Sequence, residues 1–209
     1  MTIASRTLAS TALIAALAAI SVSASVSAWA QQAQTVRLRG TIEKVDGNKL
    51  EVKTRDGAQA TLTLTDKALV VGVVKATLAD IKEGSYIGSG AMPQADGTQK
   101  ALEVHIFAES QRGTGDGHRP WDGAPNSTMT NGTAGAAVSG VDGSVITVKY
   151  KDGEKKIVVG PSVPIVRYEI GGASDLKPGA AFSVIAATKK GEGSYEAGRI
   201  NVGRDGVVP

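Results

Sequence analysis

The chain contains no cysteine. That excludes disulfides, thiolate chemistry and a lipid-modified N-terminal cysteine, so the chain must hold itself together by its core. Aromatic residues are only 4% of the 209 residues, which leaves few platforms for stacking bases or sugars. Histidine occurs twice, at His105 and His118, too few for a spacing signature such as H-E-x-x-H. No block of one charge sign exists. The formal charge is +3 with acids and bases interspersed, which speaks against nucleic acid or an anionic membrane surface as partner. Past the N-terminal segment, no apolar run approaches the roughly 18–20 residues that a membrane span needs, so no integral membrane segment is expected in the mature chain.

What the N-terminus does have is an address. MTIASRTLASTALIAALAAISVSASVSAWAQQ places one positive charge, Arg6, before an Ala-rich apolar run that ends in Ala28-Trp29-Ala30. These are the n-region, h-region and small-x-small site of a secretory signal. Residues 1–30 are therefore expected to be a signal peptide cleaved before Gln31, with the mature chain delivered to the periplasm or secreted. The alternative, an uncleaved anchor, is disfavoured by the Ser and Thr residues scattered through the run.

The remainder says the same thing twice. GTIEKVDGNKLEVKTRDG (40–57) aligns with GAAVSGVDGSVITVKYKDG (135–153), so that Asp46-Gly47 meets Asp142-Gly143 and Asp56-Gly57 meets Asp152-Gly153. LADIKEGSYIGSGA (78–91) answers ASDLKPGAAFSVIA (173–186), and DGTQKALEVHIF (96–107) answers GEGSYEAGRINV (191–202). The offset is 95 or 96 throughout, which marks an internal duplication. Each copy reads as short strands. Val36, Leu38 and Ile42 alternate with Arg37, Arg39 and Thr41; Leu50 and Val52 alternate with Glu51 and Lys53; Ile146, Val148 and Tyr150 alternate with Thr147 and Lys149. Period-two alternation gives each strand one buried and one wet face. Asp-Gly pairs supply the turns, and one short helical turn is expected near Leu78–Lys82 and again near Ser174–Lys177. The pattern of three strands, a turn of helix and two strands predicts an all-β protein of two tandem small five-stranded barrels of the OB type. Residues 31–108 would form the first barrel, 109–133 an ordered Gly/Pro-rich connecting loop, and 134–209 the second barrel.

The motif G-x-x-x-x-V-D-G, followed by alternating V-x-V with a D-G turn, D-[IL]-K-x-G and a closing A-x-x-x-[IV], resembles a family of bacterial exported OB-like domains of unassigned function. The whole mature chain, with its G-H-R-P-W-D and S-T-M-T-N phrases, is similar to short alphaproteobacterial exported proteins sometimes labelled as components of metal ABC transporters, even as permeases. The resemblance implies architecture and export. It carries over no catalytic residue, and a permease is excluded by the lack of membrane spans.

The central phrase GTGDGHRPWDGAPNSTMTNGT (113–133) has loop composition, yet a free tether does not need an Arg-Pro-Trp core. Trp121 is expected to anchor the phrase onto a barrel, with Pro120 and Pro125 stiffening it. His118, Arg119, Trp121 and Asp122 are the candidate ligand- or partner-binding residues, since recognition concentrates on ordered loops. A divalent metal is the sharpest chemical alternative, with His118, Asp116 and Asp122 as ligands and perhaps His105 and Glu103 from one strand face. Against it, the second copy places Arg199 where the first has Glu103 and Asn201 where it has His105, so the duplication does not repeat that pair. The plain reading is two surface histidines and no cofactor.

No enzyme is visible. There is no G-x-S-x-G elbow, no P-loop spacing around Gly171-Gly172 and no thiol nucleophile. The Asn126-Ser-Thr and Asn131-Gly-Thr triplets read as turn residues. Lys149, Tyr150, Lys151, Lys155 and Lys156 lack the aromatic companions of a nucleic-acid groove. The sequence thus points to an exported non-catalytic binding protein of the bacterial periplasm that takes a small ligand or an envelope protein. The alternatives are a metal-binding accessory protein linked to metal transport and a structural envelope component.

Overall fold

The computed structural model describes residues 35–140 and 143–209. The expected signal peptide, its cleavage site and Asp142 of the second Val-Asp-Gly lie outside the described residues. Twelve strands follow one another: β1 (Thr35–Asp46), β2 (Lys49–Thr54), β3 (Gln59–Ala76), β4 (Tyr86–Pro93), β5 (Gln99–Ile106), β6 (Gly117–Pro120), β7 (Thr128–Gly140), β8 (Gly143–Tyr150), β9 (Gly153–Val159), β10 (Ile165–Ile170), β11 (Ala181–Gly191) and β12 (Ser194–Gly203). The expected helical turns are single 3-10 turns at Leu78–Asp80 and Ala173–Asp175, and a third lies at Glu109–Gln111. The protein is all-β, with no α-helix among the described residues. No helix among them is long and apolar enough to cross a membrane.

The pairing of these strands departs from two consecutive barrels. β1 pairs with β2 and β2 with β3, as adjacent strands joined by tight turns should. β1 then pairs antiparallel with β11, β11 with β12, and β12 runs parallel to β3, closing a five-stranded ring. The first three strands come from the first copy and the last two from the second. A second ring is made the opposite way: β7, β8 and β9 from the second copy pair with β4 and β5 from the first, and a two-residue parallel pairing of β5 with β9 completes it. The cores obey the same division. Leu38, Ile42, Leu50, Val52 and Leu62 pack with Phe182, Val184, Ile200 and Val202. Ile87, Val104 and Ile106 pack with Ile146, Val148, Ile157 and Val159. Neither ring therefore corresponds to residues 31–108 or 134–209. Each copy supplies strands to both rings.

The rings meet through β3 and β10. The second half of β3 pairs antiparallel with β10, with Val73 opposite Tyr168. Those two residues are 95 apart, the offset of the duplication, so this pair marks a pseudo-twofold centre. β10 also runs parallel to β5, with Val166 opposite His105. The result is a continuous run β12–β3–β10–β5 that carries corresponding strands of the two copies on its outer positions. One face of this junction is clamped by ions: Arg204 holds Asp175 through Nε at 2.6 Å and Nη2 at 3.0 Å, and Glu169 through Nη1 at 2.6 Å.

The structure also refines the alignment of the copies. A Cβ on Gly40 would lie 2.0 Å from the carbonyl oxygen of Lys53, and one on Gly132 would lie 2.3 Å from that of Lys149. Both strands need a glycine where they pass so close to a neighbour. Gly40 therefore corresponds to Gly132, not to Gly135; both strands carry a matching one-residue irregularity, and their spatial offset stays at 92 residues where the sequence match gives 95 or 96.

The central phrase is not one loop. Gly117–Pro120 is a strand that pairs antiparallel with Thr128–Asn131 of β7, giving a hairpin whose tip is residues 121–127. Within it, the Trp121 N–H donates to the Ser127 carbonyl at 2.9 Å. Asn126 has φ 58°, in the left-handed region that asparagine tolerates in turns.

Candidate ligand-binding cleft

A cleft of about 420 Å³ opens beside the β12–β3–β10–β5 run. Its walls are the outward faces of the two rings, and strand alternation dictates what they present. On β12, Ala197, Ile200 and Val202 turn inward, which leaves Arg199 and Asn201 facing out. On β1, Val36 and Leu38 turn inward and Arg37 and Arg39 face out. The register sets Arg39 opposite Ser183 and Ser183 opposite Asn201 across β1, β11 and β12. Arg55 follows β2 and is held to β1 by its N–H on the Arg39 carbonyl at 2.7 Å. This wall is cationic.

The other wall follows the same geometry with different residues. Across β5, β4 and β7 the register aligns His105, Gly88 and Asn131 in one row. The next row holds Glu103, Gly90 and Met129, extended by Arg119 on β6. The two glycines are required by what lies over them. A Cβ on Gly88 would sit 2.1 Å from His105 Nε2 and 2.5 Å from Asn131 Oδ1, and one on Gly90 would sit 2.4 Å from the Trp121 ring. Trp121 thus packs against bare backbone at Gly90 of β4 and at Gly123 of its own hairpin, where a Cβ would lie 2.2 Å from the ring, and it lines the cleft half-buried.

His105 stacks on Tyr168 at 4.9 Å between centroids and meets Phe107 edge-on at 4.8 Å. Burial, reinforced by the charges of Arg199 and Arg119, pushes its pKa down to about 3, so the ring is neutral. Glu103 stands 3.8 Å from His105 Nδ1 with its side chain 43% exposed. Enclosure between the walls raises its pKa, opposed by Arg39. Burial likewise raises the Tyr168 hydroxyl and lowers the Arg199 guanidinium. Asn131 donates to the Thr114 carbonyl at 3.0 Å, which ties the 113–117 segment to β7, while its buried Oδ1 has no partner among the described residues.

The residues singled out from sequence divide here. Arg119 and Trp121 line the cleft, as do Glu103 and His105. Asp122 is outside the lining but pairs with Arg37, which is part of it. His118 points to the opposite face of β6, where its Nδ1 meets Thr130 Oγ1 at 2.8 Å and its ring stacks toward Tyr150 at 6.4 Å. Asp116 accepts from the Tyr86 hydroxyl at 3.1 Å and from the Lys151 N–H at 2.8 Å. The candidate metal ligands are therefore scattered, and no group of three or more His, Asp or Glu side chains is assembled for a metal among the described residues. Sequence reasoning missed Arg37, Arg39, Arg55 and Arg199: alternation puts Arg37 and Arg39 on a wet strand face, but nothing local shows that this face converges with those carrying Arg55 and Arg199.

Neither a protein-family model, nor a curated protein, nor a solved structure matches this chain.

Proposed function

We propose that the chain is an exported, non-catalytic binding protein of the bacterial periplasm, built from two OB-like barrels, with its ligand site in the cleft beside β3 and β10. The five-stranded Greek-key order of each ring supports the OB comparison. The observation that carries the binding reading is the cleft itself. Its volume falls in the range of small-molecule sites, roughly 300–1,000 Å³, and its walls hold aromatic faces and charged side chains together. A cleft of that size, partly open to solvent, favours a small ligand over a protein partner. Glu103 and His105 alone carry the metal reading, and the remaining candidate ligands are engaged elsewhere.

Ile185 lines the cleft and is 56% exposed, so Ile185→Trp fills space without disturbing a core. Wild-type protein exposed to the small-molecule fraction of a periplasmic extract should retain discrete adducts in native mass spectrometry, and Ile185→Trp should lose them. No adducts on the wild type, or the same adducts on the variant, would contradict the reading.

A further inference from the structure

We infer that the cleft takes a small organic anion bearing at least two oxyanion groups, carboxylate or phosphate, gripped by Arg39, Arg55, Arg119 and Arg199 with its body against Trp121 and Tyr168. The inference rests on the binding reading above and adds the chemistry of the ligand. Five arginines line the cleft and only Glu103 among the lining residues is acidic. Arg37 is neutralised by Asp122. The other four have no carboxylate within ion-pair distance among the described residues. Arg119 is steadied by the Gly115 carbonyl at 2.6 Å and Arg199 by Asn201 Oδ1 at 3.3 Å. Both contacts orient a guanidinium and neither cancels its charge.

Elsewhere the chain does pair its arginines. Arg112 has Glu109, Arg167 has Asp80 and Glu169, and Arg204 has Asp175 and Glu169. Among the described residues the uncompensated arginines are confined to the cleft, where four positive groups face one carboxylate. A monoanion would leave most of that excess in place, whereas a dianion or trianion balances it. Guanidinium forks match the planar geometry of carboxylate and phosphate oxygens, and they approach from different elements: Arg39 and Arg55 from the β1–β2 side, Arg199 from β12 and Arg119 from β6. The ligand also needs an apolar or planar part, because Phe107, Met129 and Ile185 complete the lining. The asymmetry follows from the duplication. Arg199 and Asn201 face the cleft from the second copy where Glu103 and His105 face it from the first, and His105 is uncharged. The net field is therefore set by the arginines.

Isothermal titration calorimetry with citrate, benzene-1,3,5-tricarboxylate and pyrophosphate, alongside neutral trimethyl citrate, tests this. At least one anion should bind with Kd below about 1 mM at low salt, and the neutral ester should not. The carboxylates and pyrophosphate distinguish the two oxyanion sources. Affinity should fall about tenfold or more in Arg199→Gln and in Arg119→Gln, and should weaken between about 50 and 500 mM salt, with both variants melting as cooperatively as the wild type. Failure of all three anions, or binding unchanged in both variants, overturns the inference. If neutral compounds form the extract adducts that Ile185→Trp abolishes, the cleft reading stands and the anion assignment falls. If no adduct forms either, both fall.

Discussion

Glu103 and Arg199 hold corresponding positions on the last strands of the two sequence copies, and both face one cleft. Two tandem barrels would give each copy its own wall and its own version of a site. Exchange of the last two strands instead brings β5 and β12 to either side of β3 and β10. The duplicated positions become two halves of one lining, free to diverge into an acid–histidine side and an arginine–asparagine side.

His105 is expected to stay neutral far into the acid range. Its folded pKa is pushed down to about 3 by burial and by Arg199 and Arg119, against an ordinary value near 6.5. A depressed pKa means that the unfolded chain takes up a proton first. The associated stability is full above the unfolded value and is lost as pH falls through the interval down to the folded one. In an imidazole NMR titration from about pH 8 to pH 5, the His105 signal should not move. The His118 signal, whose pKa is lowered by lesser burial and by Lys155, should begin to shift toward the acid end. A His105 resonance titrating near pH 6.5 would contradict the enclosed lining described here.

Trp121 is the only tryptophan apart from Trp29 in the N-terminal segment, so in protein prepared without residues 1–30 its emission reports the hairpin alone. Resting on Gly90, it should emit to the blue of free indole and shift red on unfolding. Gly90→Val should displace the ring, since a Cβ there already lies 2.4 Å from it, and should move native emission toward the solvent-exposed value. Trp121→Ala should lower stability by about 1–2 kcal/mol, less than a fully buried aromatic truncation, because Trp121 is only partly buried. Unchanged emission in Gly90→Val would show that the indole rests elsewhere.

The Arg204 clamp should govern the acid limb of stability. Its two hydrogen bonds to Asp175 hold that carboxyl below the ordinary carboxylate range. A depressed carboxyl pKa contributes stability that is present above the unfolded value, near 3.9, and lost as pH falls through the folded one. Arg204→Met should cost roughly 2–3 kcal/mol at neutral pH by leaving the nearly buried Asp175 without its ion partner, while Glu169 keeps Arg167. The variant should also lose less than the wild type between about pH 4 and pH 2. Urea denaturation across that range reads both effects, and parallel acid limbs would contradict the clamp.

Much of the fold was legible because strand alternation and Asp-Gly turns are local. Leu38, Leu50, Ile146 and Val148 announce their inward faces, and the two 3-10 turns fall where the duplicated D-[IL]-K segments place them. The exchange was not legible. Alternation decides which face of β11 is buried, but not whether β1 or its counterpart β7 lies beside it, because duplicated strands offer nearly the same edge to either. The site suffered most from this. Arg199 and Asn201 counted against a site at Glu103 and His105 so long as the copies were imagined apart, and became part of the lining once strand order joined them. Trp121 was readable because an indole in a Gly/Pro-rich phrase demands a surface; His118 was not, because nothing local says which face of a four-residue strand it takes.

Everything argued for the cleft depends on the exchange, and the absence of native cysteine makes the exchange directly measurable. Ile42 donates to the Ala180 carbonyl at 2.9 Å, so Thr41 and Ala181 beside them form a non-hydrogen-bonded cross-strand pair. Such pairs have Cα atoms about 4.5 Å apart, within disulfide reach. The double variant Thr41→Cys with Ala181→Cys should close an intramolecular disulfide in folded, monomeric protein under mild oxidation, with no loss of melting temperature. In unexchanged tandem barrels the residue beside Thr41 would be Tyr86, the counterpart of Ala181 at the 95-residue offset. A Thr41→Cys, Ala181→Cys protein that stays reduced while Thr41→Cys, Tyr86→Cys closes would contradict the account.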